Sequence, residues 1–315
     1  MYDFKLRFGI ALETFTPPGQ SPNTDSILKM AETAESLGFD SVWVWDHLLL
    51  GSRKVFPVLD SLTTLAAIGS HTKRIRLGTS VLILALRNPL VLSKVATTIQ
   101  LFSAGRLILG TASGWYEREF KAVGIDFKRR GKIFEDWFKL LRSLLNEVDI
   151  NYANEGFVLE HATIEPKPTK KIPLLIGGYS DAVLDRAGRL ADGWISYYYT
   201  PQGFEESFRK VKQGAERSKR DPSALMAVDV LPLAIGSSYE HGDQSARAFT
   251  SRYTDLPKNT GCTVESSIRG TVKDCVEQIK KYKEAGVEDL VFIPSNYDIS
   301  QVEMAGKEIL PSFLK

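Results

Sequence analysis

Apolar residues along this chain follow two alternating rhythms. Short, nearly continuous apolar runs are each followed by a stretch with apolar positions three and four apart. The first kind reads as a strand buried on both faces, the second as an amphipathic helix. The first run is "RFGIAL", residues 7–12. The helix predicted after it places Ile27, Met30, Ala31, Ala34 and Leu37 on one face, with Asn23 or Thr24 as cap and Gly38 at its end. The run 41–45 is followed by a helix aligning Leu62, Leu65, Ala66 and Gly69. The run 75–81 is followed by a helix with Asn88 as cap, Pro89 at the first position and Gly105 at the end. A fourth run covers 106–112. A longer segment then includes a helix sharing Phe134, Trp137, Phe138, Leu141 and Leu145. Runs 173–178, 192–199, 225–236 and 289–295 complete the set. The last is preceded by a helix aligning Val272, Cys275, Val276 and Ile279.

Eight strand–helix repeats imply parallel pairing, because each crossover returns the chain in the same direction. Eight parallel strands close a barrel. The expectation is an α/β chain folded as a (β/α)8 TIM barrel, one domain over 1–315, with insertions at about 115–130, 149–171 and 237–270. The stretch 165–173 reads as an approach loop. A doubly wound open sheet competes, but "IALETFTPPG" after the first strand has no glycine-rich turn to cradle a pyrophosphate.

Composition narrows the function without choosing it. A net charge of +2 gives no electrostatic reason to expect nucleic acid or membrane as partner. The N-terminal apolar run is too short and too interrupted by charge for a signal or anchor. Two cysteines, Cys262 and Cys275, make no disulfide framework, so a reducing cytoplasm is expected. The four histidines are scattered and form no ligand motif, so no metal site is expected.

In such a barrel, chemistry belongs at the C-terminal ends of the strands. Those ends carry Glu13 and Phe15; Asp46 and His47; Thr79, Ser80 and Val81; Ser113, Gly114 and Trp115; Gly177, Gly178 and Tyr179; and Ser196 with Tyr197–Tyr199. No lysine stands there to form a Schiff base, and no carboxylate cluster to hold Mg²⁺. This disfavours phosphate-sugar barrel enzymes. An Asp-His pair, small residues and aromatic walls suit a large flat ring with polar edges, which points to a flavin-like cofactor.

The segments "AETAESLGFDSVWVWDH", "RIRLGTSVLILALRNP", "SAGRLILGTASGWYEREFKAVGIDFKRRG", "PLLIGGYSDAVLDRAGRLADGW" and "GTVKDCVEQIKKYKEAGVEDLVF" resemble the luciferase-like flavin oxidoreductases over nearly the whole chain. The Asp-His pair and "GTSV" fit best the branch that uses the deazaflavin coenzyme F420. The resemblance implies a TIM barrel. It places Asp46 at the polar edge of the ring and His47 near its reacting face, as a proton carrier. It implies a bulge at Thr79–Val81 with a cis Ser80–Val81 peptide behind the ring. Ser113 and Gly114 join the cofactor site. Gly177, Gly178 and Tyr179 would meet its phosphate end, and Phe15, Trp115, Tyr197 and Tyr199 the substrate. The basic run Arg129, Arg130 and Lys132 would attract an anionic cofactor tail; a solvated face explains it equally well.

Two departures count against specific family substrates. Ala11 stands where the methanopterin reductases have a glutamate, although Glu13, on the same strand face, can substitute as a catalytic acid. Trp115 stands where the sugar-phosphate dehydrogenases have an acid. The expected function is hydride transfer between F420 and a small organic substrate, by a homodimer. The alternative is an FMN-dependent monooxygenase served by a separate flavin reductase. A non-catalytic flavin-binding protein is a third reading, against which the intact Asp46-His47 and "GTSV" argue.

Overall fold

The computed structural model describes residues 5–154, 157–252 and 264–313. Among the described residues there are eleven strands: β1 (Arg7–Ala11), β2 (Ser41–Val44), β3 (Arg76–Ile83), β4 (Leu107–Ala112), β5 (Ile150–Asn154), β6 (Phe157–Ala162), β7 (Leu174–Gly177), β8 (Gly193–Tyr197), β9 (Met226–Ile235), β10 (Ile268–Gly270) and β11 (Asp289–Pro294). Eight of them form a closed parallel barrel in the order β9-β11-β1-β2-β3-β4-β7-β8, with β8 pairing back to β9. The strands are those read from the sequence, and the fold is the expected TIM barrel.

The surrounding helices are α1 (Thr24–Ser36), α2 (Ser61–His71), α3 (Pro89–Phe102), α4 (Glu117–Ala122), α5 (Arg130–Asn146), α6 (Asp181–Leu190), α7 (Pro201–Arg217), α8 (Tyr239–Ser251), α9 (Val272–Glu284) and α10 (Ile299–Met304). Their starts follow local chemistry. Asn23, rather than Thr24, caps α1 by accepting from the Ser26 N–H, and Asn88 caps α3 ahead of Pro89.

Two segments differ in detail from the reading above. Within 149–171, β5 and β6 pair as an antiparallel hairpin, most of whose residues are exposed or half-buried. Within 237–270, α8 is a regular helix and β10 extends the barrel edge by pairing with the end of β9. Residues 253–263 of that stretch, with Cys262, lie outside the described residues.

The barrel interior is set by one large side chain. Leu77 points out toward α2, where it would touch a side chain at Gly69, so its neighbour Gly78 faces inward. A Cβ at Gly78 would sit 2.2 Å from the Trp43 ring, and one at Gly9 would sit 2.9 Å from Trp43 Nε1. Trp43 is fully buried and donates its indole N–H to Ser41 Oγ at 2.9 Å. It therefore fills the barrel between two strands that leave it room by having no side chain there. Trp45, two residues on, sits one layer above.

Gly78→Ala is expected to lower stability by about 1–3 kcal/mol through overpacking against Trp43. Urea denaturation measures it. Combining it with Trp43→Phe should cost less than the sum of the two single changes, since the smaller ring vacates the contested space.

Candidate active site

Above the Trp43 layer, the strand ends enclose a cavity of about 510 Å³. Its walls come from almost every strand of the barrel: Phe15 after β1, Trp45 to His47 after β2, Ser80, Val81 and Ile83 of β3, Ala112 to Trp115 at β4, Gly177 to Ser180 at β7, Ile195 to Tyr197 of β8 and Val230 of β9. Leu50, Arg130 and Val183 complete it. Most of the residues expected at the site are brought together here.

Three are not among the lining residues, each for a local backbone reason. At Glu13 the strand has already ended, and the Thr14 N–H bonds back to the Leu12 carbonyl at 2.8 Å. Alternation from Ala11 therefore no longer holds, and Glu13 faces Arg252 at 3.7 Å. Burial raises its carboxyl above the usual range, opposed by Arg252. Thr79 lies just before the bulge, where the β3–β4 register shifts between Thr79 and Leu82, and its hydroxyl donates to the Gly110 carbonyl at 2.8 Å. The Ser80–Val81 peptide is cis, as the resemblance implied. Tyr199 follows Tyr198, whose φ of 58° turns the chain after β8; its ring packs on Tyr179 and Trp194.

Asp46 lines the cavity, yet both its oxygens are engaged by the protein. Oδ2 accepts from the Ile83 N–H at 2.9 Å; Oδ1 accepts from Ser61 Oγ at 2.9 Å and from Arg87 Nη2 at 2.6 Å. Arg87 also reaches Asp60, the cap of α2, at 3.1 Å. Burial alone would lower the Arg87 pKa, but Asp46 and Asp60 together hold it raised. Asp46 thus fastens the far side of the bulge to β2 and α2.

His47 is held from behind by a residue the sequence reading did not single out. Its Nδ1 lies 3.0 Å from Glu119 Oε2 on α4, and Glu119 Oε1 accepts from the N–H groups of Leu48 (2.6 Å) and Leu49 (3.0 Å). Glu119 is fully buried. A carboxylate only accepts, so it selects the Nδ1–H tautomer and leaves Nε2 for a ligand. Trp115 packs edge-on to the imidazole at 5.5 Å. The loop carrying Leu50 is tied down by Tyr116 Oη donating to the Gly51 carbonyl and by a bridge from Phe15 to Val58.

The β4–β7 side of the cavity is built differently. Gly178 has φ +138°, a conformation that favours glycine, and a Cβ there would press on Val183 at 2.9 Å. Its glycine is required by the turn itself. The Ser180 side chain caps none of the first-turn N–H groups of α6, although its carbonyl accepts from the Val183 N–H at 2.8 Å. Arg130 donates Nε to the Gly114 carbonyl and Nη1 to the Phe127 carbonyl, and lies over the Phe127 ring at 3.9 Å, which leaves Nη2. Among the described residues, it is the one Lys or Arg lining the cavity. Ser80 Oγ is buried at the cavity wall with no hydrogen-bond partner among the described residues. Among the described residues, no group of three His, Cys, Asp or Glu could hold a metal ion.

Behind Ser196, Asp229 is fully buried and bonds to the Ser196 hydroxyl at 2.6 Å. Burial pushes its carboxyl up to about 7, only partly opposed by Ser196 and by the N–H groups of Val230 and Tyr199.

A family model described as luciferase-like monooxygenase matches residues 6–261. An F420-dependent glucose-6-phosphate dehydrogenase from Amycolatopsis mediterranei is 28% identical, covering 90% of this chain and 93% of that protein. Two solved structures share the fold. An F420-dependent secondary alcohol dehydrogenase with an F420-acetone adduct superposes with a TM-score of 0.83 at 18% identity, covering 99% of this chain and 100% of that one. The oxygenating constituent of 3,6-diketocamphane monooxygenase from Pseudomonas putida, with FMN, gives 0.80 at 16%, covering 99% of each chain.

Two measurements check this geometry. Glu119→Ala should lower stability by at least about 2 kcal/mol in urea, because it leaves buried donors without an acceptor. For Asp229, the folded pKa of about 7 stands above the ordinary 3.8, so the folded protein holds a proton that the unfolded chain has lost. Stability should fall as pH rises from about 4 through about 7, then level off. Asp229→Asn should remove that slope, so the variant gains on the parent as pH rises.

Proposed function

The chain belongs to the luciferase-like monooxygenase family, and from that premise we propose that it is an F420-dependent oxidoreductase acting on a small organic substrate. The observation that carries the reading is His47 on the cavity wall, its Nδ1 held by the buried Glu119. The deazaflavin, when bound, supplies hydride acceptance or donation at its C5 carbon. Hydride exchange with an alcohol or carbonyl also needs a proton carrier, and His47 Nε2 would hold or release that proton. The F420-dependent name of the curated relative, covering most of both chains, supports the same cofactor.

The residues present fit such a group. The Ser80 hydroxyl, without a partner among the described residues, would offer a polar contact to a bound ring system, with Val81 beside it in the lining. The Gly177–Gly178 turn, the start of α6 and Arg130 Nη2 suit the anionic tail, since a helix N-terminus and a guanidinium both favour negative charge. Asp46 would act by fastening the β3 bulge that lines the cavity. The aromatic walls exclude water from the reacting atoms.

FMN is the alternative cofactor, since an FMN-bound monooxygenase shares the fold. Titrating the protein with F420 and with FMN, followed by cofactor fluorescence, separates them. Tighter binding of F420 is expected; a preference for FMN would replace this reading with the two-component monooxygenase, which needs a flavin reductase.

His47→Ala should reduce turnover by about 10²–10⁴-fold at saturating cofactor, with a smaller change in cofactor affinity. Full turnover in a correctly folded variant would make His47 only a wall of the cavity.

A further inference from the structure

Trp45, a wall of the cavity, is held at both of its nitrogens. Its backbone N–H donates to the buried Thr14 Oγ1 at 3.0 Å, and its indole N–H donates to Tyr297 Oη at 3.1 Å. Phe15 meets the indole edge-on at 5.9 Å, and Tyr197 meets it edge-on at 5.2 Å. Groups that follow β1 and β11, and one at the end of β8, therefore converge on a single ring. Tyr297 is itself buried, does not line the cavity and packs edge-on against Phe249 of α8.

The turn that carries Tyr297 is strained. After β11, Asn296 and Tyr297 take φ of 56° and 50° in succession. Asparagine visits this left-handed region readily; for a bulky residue such as tyrosine it is unfavourable, because Cβ crowds the following carbonyl. Tyr198, next to the Tyr197 that packs on the indole, has φ of 58°. Among the described residues, the two tyrosines with left-handed backbone thus stand at the two turns that meet Trp45. Such strain persists only where the surrounding contacts over-determine it. At Tyr297 one such contact is the hydrogen bond to the indole, and a buried N–H left without its acceptor would be costly.

An indole pinned in this way does not swing aside for a bulkier ligand, since close-packed interiors yield little. Without it, the space between Phe15 and Tyr197 would open into the cavity. We infer that Trp45 is the specificity-determining wall of this cavity, setting an upper limit on ligand size at the ends of β1, β2 and β8, and that Tyr297 is the positioning residue that fixes it from behind. The inference rests on the cavity being the ligand site proposed above, whichever of the two cofactors it takes.

The test compares the parent protein with Trp45→Ala, Trp45→Phe, Tyr297→Phe and the Trp45→Phe/Tyr297→Phe pair, each checked by circular dichroism. F420 and FMN are titrated first, by fluorescence. Benzamide and 1-naphthamide, both uncharged, are then titrated by calorimetry, without cofactor and with any cofactor that binds. Trp45→Ala should shift the ratio of the two affinities by at least about tenfold toward 1-naphthamide, the scale on which an apolar pocket reads size. Trp45→Phe should shift it less, in the same direction, and carries the test should Trp45→Ala fail to fold. Tyr297→Phe should shift the ratio the same way by about two- to tenfold, the worth of one hydrogen bond. In the Trp45→Phe background it should shift nothing, because its effect passes through the indole. An unchanged ratio in the Trp45 variants, or no binding of either amide to any of the proteins, overturns the inference. A Tyr297→Phe effect that is absent from the parent, or that persists in the Trp45→Phe background, overturns the role of Tyr297. Failure of both F420 and FMN to bind overturns the cofactor reading and leaves the amide titrations to decide the inference.

Discussion

The site depends on Trp43 being seated between Gly9 and Gly78. An eight-stranded barrel has an interior that side chains must fill. Here one indole does much of the filling, and two adjacent strands accommodate it by carrying glycine at the facing positions. The result is a solid floor. Trp45, on the same face one layer up, is carried to the height where it can close the cavity against Tyr197. A side chain at Gly78 would push against that floor, and whatever displaces Trp43 displaces the wall above it.

On this floor, two buried carboxylates, Asp46 and Glu119, hold the cavity wall in place. Asp46 ties the β3 bulge to the end of β2 and the start of α2 through Ile83, Ser61 and Arg87. Glu119 fixes the imidazole of His47 and the two peptide N–H groups after it. Both are buried with their oxygens in use, and groups so satisfied hold a geometry that water-exposed ones would not. The neighbours Asp46 and His47 are thus steadied by different parts of the chain. The bulge and the His47 imidazole are set independently and meet at the cavity.

The cavity wall combines glycine backbone, a helix start and a guanidinium at the ends of β4 and β7 with aromatic rings from several strands around one histidine. The same fold carries F420 enzymes and FMN monooxygenases. The scaffold therefore does not choose the chemistry; the residues at the strand ends do.

The sequence by itself determined the architecture. Strands buried on both faces must be apolar throughout, and helices covering them must be apolar on one side, so the alternation is written locally and counts out eight units. Caps such as Asn23 and Asn88 are local as well, because they act on N–H groups two or three residues away. The strand-end filter was legible for the same reason: it reached Asp46, His47, Ser80 and Gly178 by following each run to its end. Tertiary structure alone decided the rest. The β5–β6 hairpin buries too little for an apolar run to announce it. Glu13, Thr79 and Tyr199 stand outside the cavity lining because a tight turn, a bulge and a left-handed residue each reset which way the chain faces. Glu119 stands 72 residues from the histidine it holds, and Arg87 stands 41 from Asp46. Nothing near either residue distinguishes it from other charged side chains. A charge becomes part of a site through what folding brings against it, and that information lies in the packing of β2, β3 and α4 together.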